Sequence, residues 1–153
     1  MEIFDIVNVR SIELVNNFRA DIGAAGQNAT LRTSQSLRVE VTEQGPNVKM
    51  KLFGRPFFMT VYTGRKPTPE KKPSREMIEN LGPWVAARGM NESAVWAVAT
   101  NIQKKGTQLW RDGGRMEDYE AIVDTFINDV GTDILNAEAD NFILNVRQIG
   151  NRS

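Results

Sequence analysis

The stretch Gly64-Arg65-Lys66-Pro67-Thr68-Pro69-Glu70-Lys71-Lys72-Pro73 constrains this chain more than any other. Proline fixes its own φ, removes a backbone donor and pushes the residue before it out of the helical region. Three prolines and four basic side chains in ten positions forbid both helix and central strand. An exposed, extended loop is expected here, and the rest of the fold must be arranged on its two sides.

Before the loop, Ile12, Val15, Phe18, Arg19 and Ile22 recur at helical spacing until Gly23 and Gly26 stop the pattern. The small and polar stretch from Ala24 to Ser36 reads as a loop containing Gln27-Asn28-Ala29-Thr30, with room for one turn capped by Thr33. Leu37–Phe53 reads as a hairpin. Leu37, Val39 and Val41 alternate with Arg38, Glu40 and Thr42; Val48, Met50 and Leu52 alternate with Lys49 and Lys51; Glu43–Asn47 between them has turn chemistry. Phe57–Thr63 is either a third extended segment or a short helix.

After the loop, Ser74 is placed to cap a helix carrying Met77, Ile78, Leu81, Trp84 and Val85. Gly82-Pro83 is expected to kink or divide it, and Gly89 to end it. Asn91 is placed to cap a second helix lined by Val95, Val98, Ala99 and Ile102, closed by Lys104, Lys105 and Gly106. Leu109–Gly114 reads as a loop. Tyr119, Ile122, Val123, Phe126, Ile127, Val130, Ile134 and Leu135 define a long last helix. Asn141–Ile149 is open between helix and strand because Phe142, Leu144 and Val146 alternate, and Gly150–Ser153 is expected to fray. The fold expected is α+β: a small antiparallel sheet made by the hairpin 37–53, packed with about four helices, the C-terminal one long. The length, 153 residues, suits one domain over 1–153.

The chain has no cysteine and no histidine. Disulfides, thiolate nucleophiles, Cys/His zinc sites and a Ser-His-Asp triad are therefore excluded. Carboxylates could still hold Mg²⁺, with Asp112, Glu117 and Asp118 as candidates, although acids at a helix start complement the dipole without a metal. Gly113-Gly114 lacks the Lys-Ser/Thr of a phosphate-binding loop. No apolar run is long enough to span a membrane, and the acidic Met1–Asp5 gives no basic signal-peptide start. These features fit synthesis and use inside a cell or a particle assembled there.

Formal net charge is zero, but the charges are segregated. From Lys49 to Arg75 there are eight basic residues and one acid, Glu70; from Glu117 to Asp140 there are eight acids and no base. The two runs read either as unrelated solvated faces or as complementary surfaces, within one fold or between copies. Trp84 and Trp96 fall on helices and are expected in the core; Trp110, in a loop, is open to an interface.

Several motifs occur in order along this layout. Arg32-Thr33-Ser34-Gln35-Ser36-Leu37 precedes the first strand. Tyr62-Thr63-Gly64-Arg65-Lys66-Pro67 closes the sheet region. Trp84-Val85-Ala86-Ala87-Arg88-Gly89-Met90 leads to Ala94–Ala99 and then to Ile102-Gln103-Lys104-Lys105-Gly106-Thr107. Together they resemble the neck and tail-completion proteins of tailed bacteriophages, small α+β subunits that form rings below the portal. The resemblance covers roughly Leu14 to Thr107 and fades where the family often has a Gln-Pro-Phe loop and this chain has Leu109-Trp110-Arg111-Asp112.

The resemblance implies a structural virion subunit at the head–tail junction, assembled in the bacterial host cytoplasm, with no catalysis and no cofactor or metal. Its implied partners are copies of itself in a ring, portal or connector proteins, tail proteins, and double-stranded DNA passing non-specifically through the lumen; no membrane is involved. Arg65, Lys66, Lys71, Lys72, Trp110, Asp124 and Asp129 are the candidate subunit-interface or DNA-lumen residues. The other reading is a nucleic-acid-binding protein that uses the basic loop and exposed aromatics. A carboxylate–metal hydrolase is a third.

Overall fold

The structure, a computed structural model, describes residues 2–26 and 32–150. The segments 27–31 and 151–153, and with them the expected Gln27–Thr30 loop and most of the frayed end, lie outside the described residues. The elements, in order, are α1 (Ile3–Ala24), α2 (Arg32–Ser36), β1 (Arg38–Gln44), β2 (Asn47–Phe53), α3 (Thr60–Thr63), α4 (Arg75–Ala87), α5 (Ala94–Lys105), α6 (Gln108–Arg111) and α7 (Met116–Gly150). This is the α+β fold expected: the described residues form one two-stranded antiparallel sheet with four substantial helices and three single-turn ones. The chain forms two compact units, each interleaved in sequence with the other.

The first unit takes Met1–Asn17, Arg38–Phe53 and Glu120–Ser153. Its hairpin pairs Val39 with Leu52, Val41 with Met50 and Glu40 with Lys51. The Val and Met positions are half-buried while the charged residues between them are exposed, as a period-2 pattern requires. Register is set at the two-residue turn Gly45-Pro46. Gly45 takes φ 61°, and Pro46 cannot follow it to positive φ, which selects a type II′ turn. At the open end Arg38 lies 4.7 Å over the Phe53 ring. Ile6, Leu14 and Val15 of α1 are buried, and Val123, Phe126, Val130 and Ile134 form the half-buried stripe of α7. Arg10 ties α1 to α7: its Nε donates to Asp133 at 2.7 Å.

The second unit takes Phe18–Leu37 and Gly54–Tyr119. Phe18, Phe58, Tyr62 and Tyr119 form an aromatic cluster with centroids 5.4–6.1 Å apart, mostly edge-on. Arg115 lies over Tyr62 and 2.8 Å from the Asp21 carboxylate. Arg19 donates to the carbonyls of Ser34 and Leu37 and so holds α2 against the end of α1. α4 starts on Ser74, whose Oγ accepts from Met77 N, and ends in a Schellman pair, Met90 N to Val85 O and Gly89 N to Ala86 O.

Several sequence expectations are corrected, and two left open, at 57–63 and 141–149, are resolved toward helix. α4 is not divided at Pro83: it runs as one helix from Arg75 to Ala87, and Gly82 before the proline offers no Cβ for the ring to strike. Ser93, not Asn91, precedes α5; Asn91 Oδ1 instead accepts from Ser93 N in a turn. Residues 57–63 end in the single-turn α3, and Gln108–Arg111 is a turn of helix capped by Thr107 where a loop was expected. Asn141–Ile149 is helix, not strand: the 35 residues of α7 extend about 52 Å at 1.5 Å per residue.

Candidate assembly surfaces

The basic loop holds neither helix nor strand, but it is not extended throughout: Lys71 N donates to Thr68 O at 3.0 Å in a turn over Pro69-Glu70, and its backbone is anchored. Gly64 begins it at φ 69°, the C-cap of α3. A Cβ there would lie 2.7 Å from Thr107 Oγ1, so only glycine permits the approach. Arg65 and Thr107 then bond twice: Arg65 N donates to Thr107 Oγ1, and Thr107 N to Arg65 O, both at 2.9 Å. Gly106, at φ 75°, closes α5 where a Cβ would sit 2.8 Å from Arg65 O.

Gln103 of α5 is the second anchor. It is buried, and its carbonyl accepts from Thr68 N at 2.8 Å. Its side-chain Oε1 accepts from the Thr68 hydroxyl at 2.6 Å, while Nε2 donates to Lys72 O at 3.2 Å. One buried amide thus fixes both limbs of the loop. Sequence reasoning quoted Gln103 within a motif and gave it no role; a glutamine on the core side of a lysine-ended helix was the available signal.

The anchoring separates the basic residues. Lys66, Lys71 and Lys72 are exposed, and among the described residues no lysine forms an ion pair. Arg65 is half-buried and turns into a cavity of about 540 Å³ within the same unit. That cavity is lined by Arg32, Arg55 and Arg65 together with Phe57, Trp84 and Glu76. Trp110 stands at the root of the loop, its N–H donating to Thr107 Oγ1 at 3.3 Å, and is 43% exposed. Trp96, expected in the core, is 60% exposed. It lies off the Val95–Ala99–Ile102 stripe and lines a cleft with Thr100, Lys104 and Lys105.

The acidic candidates belong to α7, in the other unit. Asp124 is exposed and stands in no ion pair among the described residues. Asp129 is half-buried and lies 3.8 Å from Arg10, which also bonds Asp133 and Glu13. The Asp133 hydrogen bond, then Glu13, raises the Arg10 guanidinium further above its already high range, and Arg10 in turn holds the Asp133 carboxyl below the usual carboxylate value. Asp129 therefore has a local cation, whereas Asp124 does not.

Of the residues weighed as metal ligands, Asp112 accepts from Gln108 and Asp118 pairs with Arg115 at 3.3 Å. No group of three or more metal-ligating side chains occurs among the described residues. No helix among them is long and apolar enough to cross a membrane. The chain matches no protein-family model, no curated protein and no solved structure.

Proposed function

We propose that this chain is a structural subunit of the head–tail junction of a tailed bacteriophage, acting by assembly into a ring around the DNA path and not by catalysis. One observation supports the reading: the loop lysines belong to one unit and the α7 acids from Glu120 onward to the other, and each set is accompanied by exposed apolar side chains. The anchored loop presents Lys66, Lys71 and Lys72, and the exposed Trp110 stands at its root. α7 presents Asp124 with Ile127, Leu135 and Phe142, which are 57%, 72% and 69% exposed. Large apolar side chains left in water together on one element mark a contact surface. Two different, complementary patches on a neutral chain suit the heterologous contact that closes a ring. Exposed ion pairs contribute only ~0–1 kcal/mol each, so the charges set orientation and the apolar residues supply affinity.

Changing Lys66, Lys71 and Lys72 together to Glu is expected to leave the circular dichroism spectrum unchanged and impair assembly, read as a shift toward smaller species in sedimentation. Adding Asp124→Lys should restore part of the assembly. Asp129→Lys should not, because Asp129 faces Arg10 of its own chain. A triple variant that assembles like the parent at physiological salt would sink the reading of the loop as a subunit contact.

One feature favours nucleic-acid binding: the cleft of Trp96, Lys104 and Lys105 joins a stacking surface to two cations. Duplex DNA offers no unstacked base to such a tryptophan, so a strand-binding role would appear as single-strand affinity falling steeply with salt. Absence of single-strand binding at low salt removes this alternative.

A further inference from the structure

The seam on α7 has a regular composition. Asp124, Ile127, Gly131, Leu135, Glu138 and Phe142 follow one another at spacings of three and four, which places them on one face of the helix. That face is not the one buried in the unit, whose stripe is Val123, Phe126, Val130 and Ile134. Its distal end carries an acid, Glu138, between two large exposed hydrophobic residues, Leu135 and Phe142.

The cavity in the second unit has the reciprocal chemistry. Three arginines, Arg32, Arg55 and Arg65, line it with a single carboxylate residue, Glu76, and with Phe57 and Trp84. None of the three forms an ion pair among the described residues. Arg55 reaches Asn80 at 3.5 Å and Arg65 reaches Gln103 at 3.4 Å, long contacts that leave donors for a stronger acceptor. A volume of about 540 Å³ lies within the range of sites that enclose a ligand with bulky apolar groups. The basic loop frames this cavity, since Arg65 at its start and Ser74 just beyond its end both line it.

We propose that the cavity is the receptor for a second copy of the chain: Leu135, Glu138 and Phe142 of α7 from one copy occupy the Arg32–Arg55–Arg65 cavity of the next. Glu138 meets the guanidiniums, and Phe142 packs beside Trp84 and Phe57. Asp124, about 27 Å back along the same helix face at 1.5 Å per residue, is then free to meet the lysines of the loop that borders the cavity. The contact rests on the ring reading and specifies its geometry: one copy gives the helix and its neighbour gives the cavity, so the interface is head-to-tail.

A mixing experiment tests it. The donor-null chain carries Leu135→Asp and Phe142→Asp, both at exposed positions; the receptor-null chain carries Arg55→Glu and Arg65→Glu. Each is expected to keep the parent's circular dichroism spectrum and, alone, to sediment as a monomer at concentrations where the parent associates, its dissociation constant raised at least ~10-fold. Mixed in equal amounts they retain one intact helix and one intact cavity, and should form a heterodimer and nothing larger. Because the natural chain has no cysteine, Phe142→Cys on one copy and Asn80→Cys on another should cross-link on oxidation, each variant alone giving far less dimer. Null variants that associate like the parent, or a mixture that stays monomeric without cross-linking, overturn the contact. If the parent still forms rings in that case, the ring reading stands and another surface closes them. A parent that never associates, alone or on head–tail particles, overturns both.

Discussion

Gln103 shows how one side chain can decide the state of a ten-residue segment. Replacing it with Leu takes the glutamine partner from the Lys72 carbonyl and the Thr68 hydroxyl at a part-buried site. The expected cost is about 1–3 kcal/mol in chemical denaturation. Amide exchange at Thr68 should rise more than exchange in the β1–β2 hairpin. The titratable residues give two opposite pH signatures. Asp133 is held below its ordinary value by Arg10, so it contributes stability that is present above the unfolded carboxylate value of about 4 and lost as pH falls through its lower folded value. Tyr62 is raised, first by burial and then by the neighbouring Asp21 carboxylate; its contribution is complete below about pH 10 and lost as pH rises above that. Asp133→Asn should flatten the acid side of a melting-temperature profile, and Tyr62→Phe the alkaline side. Ser74 was legible as a cap because its partner is three residues away. Gln103 was not, because its partners are 31 and 35 residues away.

At the scale of elements, local pattern was a good guide wherever the local energy decides. The hairpin is such a case, since alternation, Gly45 and Pro46 all specify the same register. Residues 141–149 are the opposite case. Phe142, Ile143 and Leu144 are consecutive, so they fit either period. Helix prevails because extending an existing helix needs no new nucleus, whereas a lone strand needs a partner edge. Trp96 was assigned to the core on residue type rather than on its place in the α5 pattern, which explains that error. Gly131 sits inside α7, and a Cβ there would meet nothing within 4 Å. Gly131→Ala is therefore expected to stabilise the protein by up to about 1 kcal/mol, read as a higher denaturant midpoint. The candidate surfaces were half legible. Charge segregation marked Lys66, Lys71, Lys72 and Asp124 in advance, but the convergence of Arg32, Arg55 and Arg65 needs three distant segments and left no local trace.

For the whole molecule, the interleaving of the two units has a consequence in time. Synthesis runs from the first residue onward at ~5–20 residues per second. Every residue of the second unit, including the arginine cavity and the anchored loop, has been made once Tyr119 is added. The first unit still lacks its last segment, beginning at Glu120, which carries the outward seam of α7. If the proposed contact holds, the residues of the cavity are therefore made before those of the helix face that would fill it. On the proposed contact, neighbouring chains on one messenger would present the cavity to one another before any of them carried the helix that fills it.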